Sequence, residues 1–252
     1  MPFWKRLRHW LRARTAPRPH IEAALWLATV QHHPFLAALS LEEQARLRAL
    51  CAEFLHRKEF HGAHGLAVTD AMALAIAAQA CLPLLHFGPP SQALDWYEDF
   101  VGIVVHPAQA VARRQFTDGA GVVHQQDEVL AGEAMDGGPV MLSWPDVASA
   151  PEDAAQGVNL VIHEFAHKLD LRNGDADGFP PLPSGFLGLE SASAARRRWR
   201  DAWEQAYQDF REAVIRHERF GAPTPWLDGY GATAPAEFFA VACEAYSVQR
   251  AR

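Results

Sequence analysis

The sequence predicts an α+β fold: a helical N-terminal portion, then a small mixed sheet, then a helix suited to a metal site. Three observations carry this. Residues 40–56 and 69–83 have helical periodicity with capping signals, the chain after Pro89-Pro90 turns extended and β-branched, and an apolar helix over 157–170 holds His163, Glu164 and His167 as H-E-x-x-H. The 252 residues suffice for one large domain or two small ones, and 49% hydrophobic with 21% charged residues describes an ordinary soluble globular protein. A net charge of −7 speaks against general nucleic-acid binding.

Taken in order, residues 1–20 place Phe3, Trp4, Leu7, Trp10 and Leu11 at helical spacing, with Lys5, Arg6, Arg8, Arg12 and Arg14 mostly opposite. They lack the apolar region of a secretory signal and read as a basic amphipathic tail. Docking of its aromatics on the domain is one use, an anionic membrane surface or acidic partner another. No run is long enough for a transmembrane segment. Residues 21–90 form the helical N-terminal portion and 91–252 the catalytic portion, together one compact unit. Ser40-Leu-Glu-Glu43 is a capping box opening a helix to about His56, with Leu41, Leu47, Leu50, Cys51 and Leu55 inward. Thr69 or Asp70 caps the next helix, which ends near Leu82-Pro83. His61 and His64 fall in the intervening loop and read as solvated, as do His32 and His33.

Phe100–Val105 reads as a core strand, with short strands around 121–124 and 128–131. Pro139–Trp144 alternates so that Val140 and Leu142 share a face, and Pro139 at its start suits an edge strand. Such a strand either receives an extended peptide beside Val140 and Leu142 or simply completes the sheet. Trp144 reads as core.

The chemistry centres on residues 163–167. Residues four apart share a helix face, so His163 and His167 can close on one ion, and two imidazoles suit Zn²⁺. Glu164 is placed to handle the proton of an attacking water. An ordinary surface helix fits poorly, because Val161, Ile162, Phe165 and Leu169 make it apolar on most sides and its ionisable groups need partners. A third ligand is required. Asn173 stands where a third histidine six residues on would be. Asp170 shares the face and suggests a second contact to a ligand or to a substrate amine, or else an ion pair with Lys168 or Arg172. Glu237 and Glu244 share a face of a helix opened by Pro235; one can ligate while the other hydrogen-bonds a ligand histidine, and spacing does not rank them. The helix over 193–220 carries Trp199, Trp203, Tyr207 and Phe210 as packing residues. Cys51, Cys81 and Cys243 are odd in number and lack C-x-x-C spacing, so they read as free thiols of a reducing compartment.

Asn159 to Asp175, with its HEFAHKLDLRNGD run, Pro139–Trp144 and Asp228–Glu244 resemble the Mlc titration factor A family of zinc metallopeptidases, over roughly residues 35–247. That resemblance implies a zincin-like fold, Glu237 as third zinc ligand, and Tyr230 as a hydrogen-bond donor to the oxyanion. On its own residues, Tyr230 is only a tyrosine between two glycines, exposed or mobile. The resemblance further implies a cytoplasmic peptidase of aminopeptidase type, one Zn²⁺ per chain, and binding of the glucose-responsive transcription repressor Mlc. A non-catalytic protein that titrates a repressor, with structural or regulatory zinc, is the alternative. Two departures from the family stand out: the chain ends at Arg252, where relatives continue, and residues 179–195 differ in length and composition.

Overall fold

The computed structural model describes residues 20–249 apart from 118–122, 131, 135, 136, 183, 184 and 190. The expected basic tail, His20 excepted, lies outside the described residues. The helical portion contains α1 (Ala23–His32), α2 (Leu41–Arg57) and α3 (Asp70–Cys81). The capping box of α2 is present: Ser40 Oγ accepts the Glu43 N–H at 3.2 Å, and Glu43 accepts the Ser40 N–H at 3.0 Å. Leu47, Leu50, Cys51 and Phe54 form its buried stripe, whereas Leu41 is 85% exposed. At 100° per residue Leu41 lies about 120° from that stripe, so it faces water against expectation. Thr69 caps α3 by accepting the Met72 N–H.

The sheet has four strands in the order β1-β2-β6-β5, with β1 (Glu59–Gly62), β2 (Gly102–His106) and β6 (Val140–Ser143) parallel and β5 (Gly132–Ala134) antiparallel to β6. β1 occupies what reads as loop. His61 within it and His64 just after it are exposed, so no alternation announces the strand. A separate antiparallel hairpin pairs β3 (Ala110–Thr117) with β4 (Val123–Leu130), one continuous strand where two short ones were expected; residues 121, 122 and 131 lie outside the description.

β6 is interior, which corrects the expected edge strand. Pro139 precedes the first paired residue, so its missing N–H removes no ladder bond. Ile103 pairs with Val140 and Val105 with Leu142, and all four are buried. Val140 and Leu142 are therefore core residues and cannot touch a substrate. Trp144 opens a short helix, half-buried against the core. His33 corrects a second expectation: it is 2% exposed and its Nδ1 is 2.8 Å from the Thr29 carbonyl.

Three longer helices follow among the described residues: α4 (Leu160–Asp170), α5 (Ala192–Phe220) and α6 (Pro235–Val248). Phe165 of α4 meets Phe54, Tyr97 and Phe100 at ring separations of 5.6, 5.0 and 5.8 Å, which ties α4 to α2 and to the entry of β2. Among the described residues no helix is long and apolar enough to cross a membrane.

The corrected place of β6 has a direct test. Val140→Asp should unfold the protein or lower its melting temperature by more than 10 °C, because a carboxylate would enter the core without a partner. Leu41→Asp should change stability by less than about 0.5 kcal/mol. Equal melting curves for the two variants would contradict the assignment.

Candidate metal centre

Asn159 caps α4 by accepting the Ile162 N–H at 2.9 Å, and one turn later His163 and His167 emerge on a shared face. Their Nε2 atoms are 3.2 Å apart. Pro235 opens α6, which sets Glu237 in its first turn. Glu237 Oε2 lies 3.0 Å from His163 Nε2 and 3.3 Å from His167 Nε2. Two turns on, Glu244 Oε1 lies 2.7 Å from His163 Nδ1. The order that spacing leaves open is thus decided in space: Glu237 faces both Nε2 atoms and Glu244 sits behind one ring.

A carboxylate can only accept, so His163 Nδ1 donates to Glu244 Oε1, which leaves Nε2, facing Glu237 and His167, as the atom that a metal ion would take. Acceptor atoms held this close repel unless a proton or a metal cation lies between them. Ligand atoms around a tetrahedral ion with 2.0–2.1 Å bonds lie roughly 3.3–3.4 Å apart, close to the separations seen here. The donor set of two imidazoles and one carboxylate therefore fits Zn²⁺, and His163, His167 and Glu237 form the metal-binding group found among the described residues. The protonation balance points the same way. Burial disfavours an imidazolium at His163, yet hydrogen bonds to Glu237 and Glu244 outweigh it and push the ring up to about 10. Burial likewise disfavours the Glu237 carboxylate, but the two histidines draw it down to about 2. The pocket is set up to hold positive charge.

Glu164 is 5% exposed. Its carboxyl lies so close to β5 that a Cβ on Gly132 would sit 2.6 Å from Glu164 Oε1, so any larger residue there would push the carboxyl aside. Burial pushes the carboxyl up to about 7, against the pull of His163 and His167. Such a group can both take and return a proton at neutral pH. Tyr230 sits in a one-turn helix (Gly229–Ala232) capped by Asp228, which accepts its backbone N–H at 2.8 Å. Its ring is 6.0 Å from that of His163, and the side chain is 52% exposed.

With this geometry in view, the sequence model of the family described as glucose-regulated metallo-peptidase M90 matches residues 7–252. The chain belongs to this family. Mlc titration factor A of Salmonella gallinarum is 35% identical over 212 residues, covering 84% of this chain and 73% of the relative. The same-named proteins of Salmonella arizonae and Escherichia fergusonii are also 35% identical over 212 residues, with 77% and 73% of the relative covered. The M90 membership agrees with the resemblance read from the sequence, and the α+β architecture with the expected fold class.

Within this M90 fold, Asp170 does something the sequence does not suggest. It is fully buried, so it cannot meet a substrate amine, and it pairs with neither Lys168 nor Arg172. Lys168 turns to the Gly138 carbonyl and Asp99, and Arg172 to Glu98. Asp170 Oδ2 instead accepts the Gly178 N–H at 2.7 Å, while the next N–H, of Phe179, goes to Asp177 Oδ1 at 3.0 Å. Gly178, at φ +79°, packs so tightly that a Cβ would meet the Pro235 carbonyl at 2.6 Å. The end of α4 is thereby joined through one loop to the start of α6, where Glu237 stands. Partners that are backbone N–H groups leave no trace in a sequence.

Burial of Glu164 makes a pH-dependent prediction for the chelator-treated protein. The folded-state value lies above the unfolded one of about 4.5, so the native state holds the extra proton and its stability falls as pH rises from about 4.5 through 7. Glu164→Gln removes that loss. Its urea midpoint should overtake the wild type's progressively between pH 5 and 7.5. A gap that stays constant with pH would contradict the buried-carboxyl assignment.

Proposed function

We propose that this chain is a zinc-dependent peptidase that hydrolyses peptide bonds and also binds a glucose-responsive transcription repressor of the Mlc type. One observation carries the enzymatic reading: the ligand atoms of His163, His167 and Glu237 converge near Glu164, a buried carboxyl whose pKa is pushed up to about 7. Zn²⁺ bound there supplies a Lewis acid that polarises a carbonyl and makes water a better nucleophile near pH 7. Glu164 accepts the proton of the attacking water and returns it to the leaving amine. Tyr230, at the rim beside His163, donates its O–H to the developing oxyanion, a contact worth a few kcal/mol.

The substrate strand pairs with β5. β6 has neighbours on both sides, whereas β5 ends the sheet, and its Gly132 lies against Glu164. A peptide added along β5 would carry its carbonyls past the catalytic carboxyl. The aminopeptidase preference rests on the resemblance alone, and free and acetylated peptides of one sequence test it. Repressor binding is supported by the name Mlc titration factor A that the relatives carry, and a cytoplasmic location is part of the same proposal.

The variants separate these roles. Glu237→Ala should lose most of its zinc, while Glu244→Ala should weaken zinc binding by about 10–100-fold. Glu164→Gln should keep about one zinc and lose turnover by roughly 10²–10⁴-fold. Tyr230→Phe should lower kcat with zinc content unchanged. Metal analysis alongside peptidase assays checks all four; full turnover in Glu164→Gln would remove the general-base role. Glu164→Gln should still capture an Mlc-type repressor in a titration. If zinc-loaded wild type cleaves no peptide yet captures the repressor, titration is the function.

A further inference from the structure

We propose that Asn159 and Gln79 are positioning residues for His163, acting through Glu244; this rests on the metal-site reading above. The argument begins with burial. Gln79, Asn159 and Glu244 are 0%, 1% and 4% exposed, and each comes from a different part of the fold: α3, the cap of α4, and α6. Polar side chains so deep are costly unless each donor and acceptor is met.

Here they meet one another in a chain that ends on a metal ligand. Gln79 Oε1 accepts from Asn159 Nδ2 at 2.8 Å, and Gln79 Nε2 donates to the Ala75 carbonyl at 3.0 Å. Asn159 Oδ1 is taken by the Ile162 N–H, so neither end of the Asn159 amide can turn over without breaking a bond. The Asn159 backbone N–H donates to Glu244 Oε2. Glu244 then uses its other oxygen, Oε1, on His163 Nδ1.

Both Glu244 oxygens are thus committed, one to the residue that caps α4 and one to the histidine a turn later on that helix. The ring cannot rotate, nor its proton move to Nε2, unless Glu244 moves. Glu244 in turn cannot move without pulling on Asn159 and, behind it, on Gln79. A packing role alone would be met by apolar residues of similar size. What the polar chain adds is a fixed direction for the His163 Nε2 lone pair, toward Glu237 and His167. Partners of this kind behind a ligand histidine typically govern metal affinity by 10–100-fold.

The experiment measures zinc affinity by chelator competition and the absorption spectrum of the Co²⁺-substituted protein. Asn159→Ser retains a capping residue but cannot reach Gln79; Gln79→Met keeps the volume and removes the acceptor. Asn159→Ser should weaken zinc about tenfold and Gln79→Met about threefold, both with a shifted Co²⁺ spectrum and a folded chelated protein. Each is repeated in the Glu244→Gln background. There the further loss from either change should fall below about twofold, because the route to the histidine is already broken. The same loss with and without Glu244 would overturn the proposal, since a purely structural effect would not depend on Glu244. Wild-type affinity and spectrum in both folded variants would overturn it too. If Asn159→Ser fails to fold, the Gln79→Met cycle alone decides. Wild-type protein whose zinc binding is indifferent to His163→Ala would instead bring down the metal reading itself, and this proposal with it.

Discussion

The site depends on one close approach: the first turn of α6 against the His163–His167 face of α4, which sets Glu237 Oε2 within 3.3 Å of two imidazole nitrogens. A proton or a cation must sit between these atoms, since their lone pairs would otherwise repel. The surrounding fold must hold the approach. Phe165 fixes the back of α4 in an aromatic cluster, Asn159 joins its start to Glu244, and Asp170 joins its end through Gly178 to Pro235. The two helices are thus clamped at both ends of α4, and the metal site lies between the clamps. Binding of a cation there adds to the stability of a shape the fold has already imposed.

Much of this was legible in the sequence, and the rest was hidden for physical reasons. H-E-x-x-H at helical spacing announces His163, Glu164 and His167 because an i,i+4 pair needs no long-range information. Glu237 and Glu244 were both visible as carboxylates in an apolar helix, but which one ligates depends on how α6 crosses α4, and spacing within α6 says nothing about that. Pro139 misleads because a proline just outside the ladder looks like one inside an edge strand. β1 and the hairpin strand β3 went unread: the first exposes most of its side chains, and the second carries the polar run Arg113-Arg114-Gln115 at its centre. Asp170 and His33 were misplaced because their partners are backbone groups.

Glu164 shows the tension between stability and chemistry. A carboxyl pressed against Gly132 and cut off from water would be more comfortable as an amide, yet that discomfort brings its proton affinity near neutrality. A residue that destabilises the fold in its working ionisation state is what a general base in a closed site requires. The sheet correction belongs to the same picture. With β6 buried between β2 and β5, the end strand of the sheet and the Glu164 carboxyl lie side by side, so the proposed substrate edge and the proposed proton acceptor coincide.

X-ray absorption at the zinc edge of the purified wild-type protein tests the central claim most directly. The expected result is about one zinc per chain in a shell of nitrogen and oxygen ligands at roughly 2.0–2.1 Å, with the outer-shell signature of two imidazoles and no sulfur. A sulfur shell at about 2.3 Å, or a metal-free protein that takes up no zinc on titration, would contradict it.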